Sequence, residues 1–137
     1  MINNLNLVES INDNTPQGLN NITVEQLDKI TNNFVSHIDC ICLDEFNSEM
    51  RKKVIVMIHH KLCINGTMNL KFINLDLLAN KIQKGETTGE KFSELLPKIK
   101  SIWSEIEIND VVSQLPVKII NTYYDNIYTI LKLEKTQ

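Results

Sequence analysis

The sequence predicts an α/β domain whose sheet is mostly parallel, ends in an antiparallel hairpin and carries helices on both faces. Three observations support this. The run His37-Ile38-Asp39-Cys40-Ile41-Cys42-Leu43 is followed by a helical stretch and then by Met68-Asn69-Leu70-Lys71-Phe72-Ile73-Asn74. Two Ile- and Leu-rich runs around a helix make a strand, helix, strand unit of a parallel sheet, with a right-handed crossover. Near the end, Val117 to Tyr123 and Asn126 to Leu133 are β-rich runs joined around Tyr124-Asp125. So short a link permits only an antiparallel hairpin. A chain of 137 residues is the length of one ordinary domain, so residues 1 to 137 are read as a single unit with its own core.

The remaining elements follow in order. Asn4 to Ser10 alternates Leu5 and Leu7 with Asn and reads as a short edge or near-edge strand ending at Glu9. Asn12 to Gly18 concentrates turn formers. Thr23-Val24-Glu25-Gln26 is a capping box, and Val24, Leu27 and Ile30 continue it with helical spacing. From Ser48, the positions Met50, Val54, Met57, Ile58 and Leu62 share one side of a helix that Asn47 or Ser48 caps. Asn65-Gly66 is expected to end that helix, because both residues tolerate a left-handed backbone. Asn74 or Asp76 can cap a helix through Leu77, Leu78 and Ile82, and Lys84 to Gly89 is a polar break. Leu95, Ile99, Ile102, Trp103 and Ile106 predict another helix, with Pro97 in its first turn, where its missing N–H matters least. Asn109 or Asp110 then starts a short helix through Val111, Val112 and Leu115, closed by Pro116.

Composition excludes several classes. A net charge of -3 with scattered lysines gives no basic footprint, so no nucleic-acid partner is expected. No stretch approaches the roughly 20 apolar residues of a membrane span, and Met1-Ile2-Asn3-Asn4 lacks the basic and apolar regions of a signal peptide. No membrane partner is therefore expected, and the location is read as cytoplasmic. Three cysteines, Cys40, Cys42 and Cys63, are read as reduced and buried. His59 and Cys63 stand four apart, yet a closed zinc site needs four ligands, so no metal is expected. Asp39 is read either as a solvated strand start or as a buried acid paired with Lys71.

The order of these elements resembles the later half of class I S-adenosylmethionine-dependent methyltransferases. Asp39-Cys40-Ile41-Cys42-Leu43-Asp44-Glu45-Phe46 resembles the family's central strand, and Lys61-Leu62-Cys63-Ile64-Asn65-Gly66-Thr67-Met68 its Leu-Lys-Pro-Gly-Gly turn, with Asn65 and Thr67 as departures. Asn6-Leu7-Val8-Glu9 is similar to the family's second strand, whose terminal acid holds the cofactor ribose. The resemblance implies a reduced Rossmann-like, methyltransferase-like sheet, most similar to small phage-encoded members. Within it, Glu9, Asp44 and Glu45 would face a cofactor if a pocket survives, with Asn74 and Asp76 on the same rim. The same acids also suit helix caps and solvated turns.

The family's Gly-rich turn is missing, since Gly18, Gly66, Gly85 and Gly89 form no G-x-G, and the Asn/Asp-Pro-Pro-Tyr motif is missing too. The expectation is therefore a domain without a bound cofactor and without catalytic residues. It would act through a protein partner or self-association, as a phage accessory or virion component in the host cytoplasm or the particle. The alternative is a working S-adenosylmethionine-dependent methyltransferase completed by a partner subunit. A module for a different nucleotide is a third reading.

Overall fold

Side-chain alternation assigns every strand residue to one of two sheet faces, and the apolar positions select which face is buried. In a computed structural model describing residues 1–12, 20–87, 89–94 and 96–137, six strands form one sheet. They are β1 (Ile2–Leu7), β2 (Asn21–Ile22), β3 (Val35–Cys40), β4 (Leu62–Ile73), β5 (Val117–Asp125) and β6 (Tyr128–Lys135), in the order β2-β1-β3-β4-β6-β5. The first four are parallel, β6 is antiparallel to β4, and β5 and β6 form the expected hairpin. Its turn falls at Asn126-Ile127 rather than around Tyr124-Asp125, and Asn126 takes the positive φ of 57°. The helices are α1 (Val24–Asp28), α2 (Ser48–Lys61), α3 (Leu75–Gln83), α4 (Gly89–Ser93) and α5 (Glu105–Ser113). The turn expected over Asn12 to Gly18 lies almost wholly outside the described residues. No helix among the described residues is long and apolar enough to cross a membrane.

The even-numbered residues of β3 and β4 (Ile38, Cys40, Met68, Leu70, Phe72) join Leu5, Leu7, Leu131 and Leu133 under α1, α2 and α5 to make the main core. On the opposite face, Ile73, Leu78 and Ile127 gather Phe92, Ile99, Ile102 and Tyr128 into a smaller cluster at the carboxyl end of β4. Helices thus serve both faces, unevenly. The middle of the second face is polar: His37 Nδ1 lies 2.6 Å from Thr67 Oγ1 and its Nε2 lies 3.0 Å from Asp39 Oδ1, which also accepts from Asn69 Nδ2 at 2.8 Å. Asp39 therefore pairs along its own strand and with Asn69, not with Lys71. This row has the donor order of an activated hydroxyl. It sits mid-strand, however, where backbone N–H groups belong to the ladder and cannot stabilise an oxyanion.

Local signals placed several elements well. Thr23 and Gln26 form the capping box, with Thr23 N donating to Gln26 Oε1 at 2.9 Å. Asn47 caps α2 by accepting from Met50 N at 2.8 Å, and Asn74 caps α3.

Four expectations are corrected. The strand expected over 37 to 43 runs from Val35 to Cys40, and Leu43–Glu45 turns into a 3₁₀ segment. The two-residue β2 carried too little pattern to be read. The helix expected through Trp103 does not form: Leu96–Lys98 is a single 3₁₀ turn. Beyond it, Lys100 N donates to Asp44 O at 2.7 Å, Ser101 Oγ to Phe46 O at 2.6 Å, and Trp103 bridges to Asn74. These distant partners outcompete the local helix, which restarts at the Ser104-x-x-Glu107 capping box rather than at Asn109.

The fourth correction concerns Asn65-Gly66, which lies inside β4 rather than at a helix end. The chain passes from α2 into β4 at Leu62 without a loop. The helix's final carbonyls are met from afar: Asn33 N donates to His60 O, Phe34 N to Lys61 O, and Lys135 Nζ to His59 O and Leu62 O. Placing the buried Lys135 cation there complements the helix dipole. Opposite Ser36, the β3–β4 register slips as Val35 pairs with Leu62 but His37 with Thr67, so residues 63 to 66 form a bulge. Asn65 carries the positive φ of 67°, while Gly66 is needed for space: a Cβ there would lie 2.7 Å from Cys63 O. Gly66→Ala is expected to lose about 1–3 kcal/mol or more. Asn65→Gly should be close to neutral, since the left-handed conformation penalises glycine least. Urea unfolding of both variants checks this, and a harmless Gly66→Ala would contradict the close approach.

Candidate functional site

In an open parallel sheet a ligand crevice forms outside the carboxyl ends of the strands, where the strand order reverses. Here that point lies between β1 and β3, because the chain runs from β1 outward to β2 and then returns to the other side of β1. In the common doubly wound order, the strand beside the fourth is the first. The strand leading to Glu9 therefore takes the first strand's place, not the second's. Nothing stands between it and β3.

The turn after β1 reads Val8-Glu9-Ser10-Ile11-Asn12. Val8 is buried, and its N–H donates to Ile22 O at 2.9 Å. Glu9 is exposed. Across the crevice, Ile41 leaves the end of β3 with 46% of its surface exposed. Glu45 follows from the 3₁₀ turn, half-buried. Burial, and then the negative charge of Glu9, push the Glu45 carboxyl above its ordinary range, against the pull of Lys98. The structure thus brings Glu9 and Glu45 within electrostatic reach of one another. A half-buried carboxyl with a raised pKa in a cleft is a site signal.

Asp44 has a different role. Its Oδ1 accepts from Arg51 Nη2 at 2.6 Å, and both its oxygens accept from Ile73 N at 3.0 Å. Its backbone oxygen takes Lys100 N and Ser101 N. Burial raises the Asp44 carboxyl, opposed by the Ile73 N–H and the Arg51 guanidinium. Fully buried Arg51 also donates to Leu43 O at 3.0 Å and lies 4.7 Å from the Trp103 ring centroid. This ion pair ties the β3 exit, α2, the end of β4 and the 100–103 segment together beneath the crevice.

Asn74 and Asp76 prove to be structural ties as well. Asn74 is buried, accepts from Asp76 N and Leu77 N, and donates to Thr129 Oγ1 at 3.0 Å. Asp76 Oδ2 accepts from Glu105 N. His59 turns into the core and Cys63 belongs to β4, so the two do not share a helix face. No group of three or more His, Cys, Asp or Glu able to hold a metal occurs among the described residues.

Sequence reasoning named Lys71 only as a candidate partner of Asp39 and did not place it or Tyr128 at the site. Between β3 and the 96–99 segment lies a cavity of about 210 Å³ that Asp44, Glu45, Lys71, Ile73, Lys98 and Tyr128 help to line, with Ile41. Lys71 Nζ sits 4.6 Å above the Tyr128 ring, and burial followed by the Asp44 charge holds the Tyr128 phenol in its protonated form. The one available signal was a lysine set between Leu70 and Phe72 at the apolar end of the strand. The pairing of Ile73 with Tyr128 across the β4–β6 ladder is long-range and left no local trace.

No family model and no curated protein matches this chain. Solved structures do. An S-adenosylmethionine-dependent methyltransferase from Archaeoglobus fulgidus superposes with a TM-score of 0.67 at 8% identity, covering 98% of this chain and 86% of that one. The CurJ carbon methyltransferase gives 0.62 at 12% identity, covering 99% and 49%. The magnesium protoporphyrin IX methyltransferase from Synechocystis PCC 6803, with bound S-adenosylhomocysteine, gives 0.56 at 15% identity, covering 85% and 51%. The chain spans about half the length of these last two. The methyltransferase-like Rossmann fold read from the sequence is the fold observed. The expectation that no cofactor is bound is corrected by the same comparison, because its structural neighbours are S-adenosylmethionine-dependent enzymes, one holding the demethylated product.

Tested against an adenosyl ligand, the crevice fits in part. Glu9 and Glu45 supply acceptors for ribose or amino groups, and Ile41 supplies an apolar wall. The described part of the turn after β1 supplies no glycine for a close backbone approach.

Proposed function

We propose that this chain is an S-adenosylmethionine-binding, methyltransferase-type domain whose cofactor crevice lies at the switch point between β1 and β3. The observation that carries the reading is the strand order, which places Glu9 and Glu45 on either side of that crevice, in a fold whose solved neighbours are S-adenosylmethionine-dependent methyltransferases. Val8 to Asn12 contains no glycine, and in this reading the backbone approach comes from outside that turn. A second copy of this chain supplies it, which is where the expected self-association enters.

Calorimetric titration of the full chain with S-adenosylmethionine tests the proposal. Micromolar binding is expected, together with stabilisation of about 2.7 kcal/mol when the free ligand stands at a hundredfold its Kd. Absence of heat at millimolar ligand, both alone and at protein concentrations that drive self-association, would overturn it.

A further inference from the structure

The cavity beside the crevice carries an inference of its own. At about 210 Å³ it is too small for a nucleoside and suited to a single ring. Its walls pair an apolar side, Ile41 and Ile73, with the face of Tyr128 and two ammonium groups, Lys71 and Lys98. Lys71 is half-buried and rests over the Tyr128 ring; it forms no salt bridge among the described residues. The nearby Asp44 carboxylate is already neutralised by Arg51 at 2.6 Å. Among the residues that line the cavity, the balance is therefore one carboxylate, Glu45, against two lysines. A partly desolvated cation without a counter-ion is a standing attraction for an anion.

We infer that this cavity binds a small aromatic carboxylate, its ring packed between Tyr128 and the isoleucines and its carboxylate held by Lys71, with Lys98 at the mouth. The enclosed space suits a single ring, the two ammonium groups select the anion, and the aromatic face selects a planar ring. As the acceptor-side subsite of a methyltransferase this rests on the function proposed above; as a binding site it stands independently.

The probe is 2-hydroxybenzoate, titrated into the full chain without S-adenosylmethionine and followed by amide chemical shifts. Saturable binding is expected, with shifts at Ile41, Lys71, Ile73 and Tyr128. Benzyl alcohol, of similar shape without the charge, should bind about tenfold or more weakly. Lys71→Met should weaken 2-hydroxybenzoate to the level of benzyl alcohol. Ile41→Trp, at an exposed position that leaves the core intact, should block both by filling the mouth. Equal affinity for the two probes, an unchanged affinity in Lys71→Met with a native spectrum, or shifts confined to another surface would overturn the inference. Failure of S-adenosylmethionine to bind while 2-hydroxybenzoate still does would refute the proposed function and leave this site standing.

Discussion

Arg51→Met is expected to destabilise the domain by about 3–5 kcal/mol, because it strands the buried Asp44 carboxylate without its guanidinium. The size of the effect comes from desolvation rather than from attraction. Asp44 keeps only the Ile73 N–H, and Leu43 O loses the Arg51 Nε donor, so two buried acceptors lose a partner at once. At about 4 °C per kcal/mol for a domain of this size, the melting temperature should fall by more than about 10 °C. Arg51→Lys should fall between wild type and Arg51→Met, since an ammonium retains the charge but cannot span Leu43 O, Asp44 and Ser101 O as the planar fork does. Equilibrium urea unfolding monitored by the single tryptophan reads both variants. A loss below about 1 kcal/mol for Arg51→Met would show that the pair is not the tie described.

Trp103→Ala should have a similar cost, about 3–5 kcal/mol, through the cavity it opens. Trp103 is 1% exposed, donates from Nε1 to Ser48 Oγ at 3.1 Å, accepts Leu75 N at its backbone oxygen and stacks beneath Arg51. The residue therefore joins the amino ends of α2, through its side chain, and α3, through its backbone oxygen. Trp103→Phe should cost less, forfeiting the indole N–H bond and part of the volume. Because Trp103 and Arg51 touch, their double variant should lose less than the sum of the single losses. Circular dichroism replaces fluorescence as the readout for these variants, and additivity within about 0.5 kcal/mol would contradict direct coupling.

What the sequence disclosed and what it concealed divide along range of interaction. The Thr23 capping box and the Asn47 and Asn74 caps are short-range patterns, and each was legible. So was the hairpin, although its turn falls at Asn126-Ile127, two residues beyond Tyr124-Asp125, and so were Val54 and Ile58 of the α2 stripe, which Arg51, Ile55 and His59 share. Where residues 100 to 103 pack depends on Asp44 and Phe46, more than fifty positions away, so an apolar spacing that suggested a helix was overridden by tertiary hydrogen bonds. Asn65-Gly66 misled for a similar reason: two residues suited to ending a helix instead serve a bulge, because Lys135 and Asn33 already satisfy the helix end from across the fold. At the site, the strand-end rule gathers five candidates beyond the carboxyl ends of the strands, yet it cannot separate them by role. Asp44 faces inward to Arg51, Asn74 and Asp76 bind the chain to itself, and Glu9 and Glu45 alone of the five remain available at the crevice. Lys71 and Tyr128 meet only through the β4–β6 register, which no local pattern encodes.

Mapping amide shifts as S-adenosylhomocysteine is added to the full-length chain tests most directly whether the crevice is a cofactor site. Saturable changes at Val8 to Ser10 and at Ile41 to Glu45, weakened about tenfold or more in Glu45→Gln, are the predicted result. A spectrum unmoved at millimolar ligand, or perturbed only along the outer surfaces of α2 and α5, would contradict it.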